Sequence, residues 1–211
     1  MDFFDFHHHQ RSKKPGIYNL NFGDSLPESY FSAGIHPNRS ENVSEENLLW
    51  LEQIALNEKC VGIGECGLDG LIDVSRENQE KIFKFQIQLA NKIRKPLIIH
   101  CVRRYSQVVS LLKNAEVPVI FHGFNRKKSI GEALLKHDFY LSFGKSVLHD
   151  VNLQQFVKDF PLEKTFLETD SADFDLEMLY LKVAELKNLP LKDLKNQIYQ
   201  NLKIFNIPEI L

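Results

Sequence analysis

The sequence predicts an α/β chain built as a TIM-type (β/α) barrel, irregular near strands 1 and 2, where the first helix is missing. Three observations predict it. Eight short apolar runs recur along the 211 residues; most are followed by a polar loop and an amphipathic helical stretch; and histidines and acids stand where the runs stop. The length lies at the low end for such barrels. No Gly/Ser linker, low-complexity segment or fixed repeat interrupts it, so residues 1–211 read as a single domain.

The first run, residues 3–6, leads into His7-His8-His9. Only residues 10–16, which include Pro15 and Gly16, separate it from the second run, residues 17–22. No helix fits that interval, and a parallel crossover takes about a dozen residues. The second strand is therefore expected either to pair antiparallel with the first or to sit outside the barrel. Residues 30–35 form the third strand, with helix 44–58 behind it, and residues 60–64 the fourth. The helix at 75–94 carries Ile82, Phe85, Leu89 and Ile93 at three- and four-residue steps facing one side. Strand 96–99, helix 105–113, strand 117–121, helix 129–137, strand 139–143, helix 150–159 and strand Thr165–Leu167 continue the alternation. Helices 172–187 and 191–205 close it.

Composition excludes several classes. A hydrophobic share of 43%, a charged share of 26% and no apolar stretch near the roughly 20 residues of a membrane span describe an ordinary globular chain with no membrane partner. The opening Met1-Asp2-Phe3-Phe4-Asp5 lacks a basic segment followed by an apolar run, which points to the cytoplasm. Cys60, Cys66 and Cys101 have neither disulfide nor thiolate-zinc spacing. A net charge of -2 argues against broad coating of nucleic acid while leaving room for a local basic face. Nothing marks an obligate protein partner.

The residues at the ends of the runs are His7-His8-His9, His36, Glu65, His100, His122 and Asp170, and only His137 and His149 fall elsewhere. Strand alternation sends His7 and His9 to one side and His8 to the other, so two imidazoles can chelate one ion. Further histidines and carboxylates complete a nitrogen and oxygen donor set suited to zinc, manganese, iron or magnesium. Alone, a histidine such as His100 reads as a satisfied buried side chain; the combination does not. Arg11, Lys13, Lys14, Arg39, Arg103, Arg104, Arg126, Lys127, Lys128 and Lys145 fall in loops after strands, where cationic side chains would hold phosphates. Lys127 and Lys128 also read as a solvated helix start.

Six segments carry a family resemblance: Phe4-Asp5-Phe6-His7-His8-His9, Ala33-Gly34-Ile35-His36-Pro37, Gly62-Ile63-Gly64-Glu65-Cys66-Gly67-Leu68-Asp69, Pro96-Leu97-Ile98-Ile99-His100, Phe121-His122-Gly123-Phe124 and Leu167-Glu168-Thr169-Asp170. In this order they resemble the TatD-like metal-dependent deoxyribonucleases over nearly the whole chain, and Asn201-Leu202-Lys203-Ile204-Phe205 is similar to that family's last helix. The resemblance implies two divalent ions (Mg, Mn or Zn). His7 and His9 would bind one, His100 and His122 the other, Glu65 would bridge, and Asp170 would hold a metal and the attacking water. Glu65 and Asp170 are then the catalytic residues. His36 would stand beside the site without binding metal. The substrate would be DNA or another phosphodiester, cut by metal-activated water with no protein nucleophile. Two departures stand out: the short segment between His9 and His36, and Gly70-Leu71-Ile72 where many members carry aromatic residues. Two alternatives stay open. One is an amidohydrolase-like metallohydrolase of a small-molecule ester, amide or phosphoester, although its usual bridging lysine has no counterpart at the expected strand ends. The other is a non-catalytic barrel.

Overall fold

The computed structural model describes residues 2–11 and 15–207; Lys13 and Lys14 lie outside the described residues. In chain order the described elements are β1 (Asp5–His8), β2 (Gly16–Leu20), β3 (Phe31–Ala33), α1 (Glu45–Ile54), β4 (Cys60–Asp69), α2 (Arg76–Ile93) and β5 (Leu97–Val102). There follow α3 (Tyr105–Leu112), β6 (Val119–Phe121), α4 (Lys128–Leu135), β7 (Tyr140–Phe143), α5 (Val151–Asp159), β8 (Thr165–Leu167), α6 (Leu176–Lys187) and α7 (Leu191–Asn201). They fall into two compact units, residues 1–18 with 122–211, and residues 19–121.

In the first unit, β1 and β2 pair parallel, with Asp5 opposite Gly16 and His8 opposite Tyr18. This corrects the expectation of antiparallel pairing or exclusion. The physical reason is length: β1 has four residues, about 10 Å of strand, and a connection of seven residues is long enough to span that distance. The Asp5 amide donates to the Pro15 carbonyl at 3.1 Å to begin the ladder, and one extra residue on β1 between Asp5 and His8 makes a bulge. Described residues His9 to Arg11 and Pro15 are not helical.

The core of this unit is aromatic. Phe6 stacks on Phe166 at 4.4 Å between centroids and meets Phe205 at 5.6 Å, while Phe143, Phe156 and Phe160 pack edge to face or tilted. β7 and β8 pair parallel from Leu141 opposite Thr165 to Phe143 opposite Leu167. Helix α6 begins at Leu176, four residues later than expected, because the Asp175 side chain caps it through the Glu177 amide at 3.0 Å. Helix α7 ends at Asn201, and a 3-10 turn carries the chain on to Phe205. A buried polar tie joins the same unit. The fully buried Asp5 carboxylate accepts the Thr169 amide at 2.9 Å and the Thr169 hydroxyl at 2.6 Å, joining β1 to the segment after β8.

In the second unit β3, β4, β5 and β6 pair parallel in sequence. Strand β4 is twice as long as the expected 60–64. Its register against β5 shifts between Ile63 opposite Leu97 and Cys66 opposite Ile99, so the bulge falls at Gly64-Glu65. Two glycines allow β4 to lie this close to β5. A Cβ on Gly64 would overlap the Ile98 carbonyl oxygen and one on Gly67 that of His100, and both residues have positive φ, 153° and 142°.

Helix α2 covers these strands, but its buried face is centred on Ile82, Phe83, Gln86, Ile87 and Ala90, leaving Phe85 and Ile93 half-buried. A glutamine is the reason the face is rotated. Gln86 accepts from the Ile35 amide at 2.7 Å and donates to the Ile35 carbonyl at 3.0 Å, and two turns earlier Gln79 does the same for the amide and carbonyl of Asp69 at 2.8 and 3.1 Å. Each amide side chain stands in for a peptide group.

Removing the Asp5 carboxylate takes away the acceptor shared by the buried Thr169 amide and hydroxyl. Asp5→Ala is expected to lower stability by about 2–3 kcal/mol, read as a fall in the urea midpoint with little change in slope.

Candidate metal centre

The bulge at β1 and the alternation of its side chains separate the three consecutive histidines. His8 turns to Tyr18, with centroids 6.0 Å apart, while the His7 and His9 rings lie 5.2 Å apart and nearly perpendicular. Asp170 joins them through backbone and side chain. Its amide donates to the His7 carbonyl at 2.8 Å and its carbonyl accepts from the His9 amide at 3.4 Å. Its Oδ1 lies 3.2 Å from His9 Nε2 and 4.0 Å from His7 Nε2. Asp170 takes a left-handed φ of 52°, a conformation Asp tolerates better than most side chains. His7 is buried and His9 half-exposed, so the cluster runs from the interior to solvent.

His122 sits in the same unit, its ring 4.4 Å from that of His7. Its Nδ1 faces Oε1 of the fully buried Glu168 at 3.5 Å, and the Ser142 hydroxyl donates to the other Glu168 oxygen. One donor atom each from His122, Glu168 and Asp170 forms a group within 4.8 Å, as do atoms from His7, His9 and Asp170.

The second unit carries a cluster of its own. Glu65 Oε1 lies 2.7 Å from His100 Nδ1 and 3.5 Å from His36 Nε2, and these three residues again offer donor atoms within 4.8 Å of one another. The Glu65 amide is held by Asn19 Oδ1 at 3.1 Å. His36 Nδ1 accepts from the Asn38 amide at 3.1 Å. The far nitrogen of His100, Nε2, is 3.1 Å from Asp69 Oδ2.

These positions bring His7, His9 and Asp170 together, place His122 beside Asp170, and join Glu65 to His100. His36 is closer to Glu65 than expected of a bystander. Three acidic residues had no role from sequence: Asp5, Asp69 and Glu168. For two of them the signal was there, since strand periodicity puts Asp69 on the same side as Glu65 and Glu168 on the same side as Asp170. Asp5 had none, its partner Thr169 being 164 residues away. Among the expected phosphate-holding residues, Arg103, Arg126 and Lys127 are exposed, Arg103 with a φ of 54°. Lys128 instead pairs with Asp159 at 3.2 Å, and Lys145 donates to the Asp173 carbonyl at 3.4 Å.

The donor chemistry fits divalent metal. Buried imidazoles facing carboxylates form a mixed nitrogen and oxygen set, as zinc and manganese take readily and magnesium less so. Among the described residues no cysteine belongs to a converging donor group, and burial pushes the Cys60 thiol up to about 11 and raises Cys66 further.

A family profile described as TatD related DNase matches residues 17–206, beginning after His7 and His9. The uncharacterized metal-dependent hydrolase YabD of Bacillus subtilis is 32% identical over 193 residues, covering 82% of this chain and 76% of its own length. A protein of Edwardsiella piscicida named 3'-5' ssDNA/RNA exonuclease TatD is 27% identical over 160 residues, 72% of this chain and 62% of its own. The crystal structure of YjjV, a TatD homologue from Escherichia coli, superposes with a TM-score of 0.84 over 98% of both chains at 21% identity. That likeness shows the fold alone, and it is the TIM-type (β/α) barrel. No helix of the described residues is long and apolar enough to cross a membrane.

If the clusters hold metal, one substitution in each should lower the ion content. His9→Ala and His100→Ala are each expected to reduce divalent metal per chain, and the double variant to reduce it further, by elemental analysis after dialysis against trace metal.

Proposed function

Because the chain belongs to the TatD related DNase family of metal-dependent hydrolases, we propose that it hydrolyses phosphodiester bonds in DNA or a chemically similar nucleic acid, using two divalent ions. The observation that supports this most is the pairing of imidazoles with carboxylates in both units: His7 and His9 with Asp170, His122 with Glu168, and His100 with Glu65. By the resemblance, His7, His9, Glu65, His100, His122 and Asp170 would hold the ions. When bound, the ions supply positive charge that activates water near neutral pH and stabilises charge on the phosphate oxygens.

The chain's own groups do the rest. Asp170, anchored at its backbone by His7 and His9, is the group we assign to orienting the attacking water and accepting its proton. Its carboxylate is partly exposed, so a solvent molecule can reach it. The exposed Arg103 and Arg126 are assigned to substrate phosphates. The name of the Edwardsiella relative makes single-stranded DNA and RNA ends the first substrates to try. Three buried cysteines without disulfide spacing suit a reducing compartment, so we propose a cytoplasmic setting. We propose also that both units act as one catalytic domain.

Assay on end-labelled single-stranded DNA tests the reading. Asp170→Asn is expected to lower the rate by roughly 10² or more while most of the metal remains, the pattern of a lost general base. A full rate in that variant would remove Asp170 from proton transfer. Arg126→Ala is expected to raise KM and flatten the dependence of binding on salt, with kcat nearly unchanged.

A further inference from the structure

Asp69 has no part in the ligand set just described, yet it is among the most firmly held acids in its unit. Its backbone amide and carbonyl are both taken by Gln79, at 2.8 and 3.1 Å. Its Oδ1 accepts the Leu71 amide at 2.8 Å. That leaves Oδ2 pointing at His100 Nε2, 3.1 Å away, with the carboxylate 11% exposed. Strand geometry explains the aim. Glu65, Gly67 and Asp69 share one side of β4, and His100 lies opposite Gly67 in the register, between the two acids. Glu65 meets Nδ1 and Asp69 meets Nε2. Among the described residues Asp69 is not part of any group whose donor atoms converge within 4.8 Å.

We propose that Asp69 is the positioning residue of His100, keeping the proton on Nε2 and so making Nδ1, on the Glu65 side, the nitrogen that binds metal. A carboxylate accepts hydrogen bonds only, so each acid favours hydrogen on the nitrogen it faces, Glu65 on Nδ1 at 2.7 Å and Asp69 on Nε2 at 3.1 Å. An ion held by Glu65 and His100 together would displace the hydrogen from Nδ1 and leave Asp69 to fix the other. A histidine that donates its other N–H to a carboxylate is held in orientation and becomes a more basic ligand. The inference rests on His100 holding a metal.

Zinc alone serves as the probe, with titration against a chelating indicator and long-range 1H–15N spectra of the imidazoles. The His100 signals are assigned by their loss in His100→Asn. In the native protein with zinc, the proton is expected on Nε2 and the shift from the ion on Nδ1. Asp69→Asn gives a directional result. The Leu71 amide keeps the side-chain carbonyl oxygen, so the NH2 faces Nε2 and donates to it, driving the ring toward the Nδ1–H form. Zinc affinity is expected to fall about 10- to 100-fold with the urea midpoint nearly unchanged. Asp69→Ala should weaken zinc at least as much, and if it does not fold, Asp69→Asn, of nearly the same shape, decides alone. A proton on Nδ1 in the zinc-loaded native protein, or native zinc affinity in Asp69→Asn, would overturn the proposal. Zinc binding that leaves the His100 signals of the native protein unmoved would overturn the metal assignment of His100 itself, a separate and recognisable result.

Discussion

A carboxylate sealed from water must find partners inside the protein, and for Asp5 both oxygens find Thr169. β1, with four residues, is too short for its ladder alone to locate it firmly. The side-chain tie does that work. Once Thr169 is fixed, Asp170 follows by one residue, and its backbone exchanges hydrogen bonds with His7 and His9. The positions of three candidate ligands, His7, His9 and Asp170, thus descend from one buried acid. Tyr180 adds to the same end of β1, its hydroxyl donating to the Phe4 carbonyl at 2.8 Å.

The second unit solves the same problem with amides instead of an acid. Gln79 and Gln86 on α2 grip the peptide groups of Asp69 and Ile35, and Asn19 holds the amide of Glu65 where the bulge removes its ladder partner. An uncharged amide offers a donor and an acceptor together, which is what an unpaired peptide group needs. One helix therefore indexes both the segment before His36 and the end of β4 beyond Glu65.

The sequence was most legible where periodicity rules. All eight apolar runs contain or overlap strands, and His7, His9, His36, His100 and His122 at their ends meet carboxylates. It was less legible where backbone geometry departs from the period. The continuation of β4 through Asp69 depends on two glycines whose need is set by the β5 carbonyls, and nothing local to residues 60–69 reports those. The parallel pairing of β2 turned on how short β1 is, while the expected topology assumed a connection of ordinary length. The rotated face of α2 was hidden because Gln86 counts as polar in any hydrophobic pattern, although it is fully buried. Asp5 acquires meaning only from a partner brought in by folding.

The left-handed backbone at Asp170 constrains how this position can change over time. Few side chains accept that conformation cheaply; Gly, Asn and Asp are the usual ones. Of these only Asp brings a negative charge, and lengthening it to Glu keeps the charge at a backbone cost that β-branched residues would feel more strongly still. Drift at this codon is therefore channelled. The neutral exits are Asn and Gly, which keep the turn and discard the acid, so a lineage can abandon the chemistry here without losing the fold. Recruiting a different functional group at the same spot would require rebuilding the turn first.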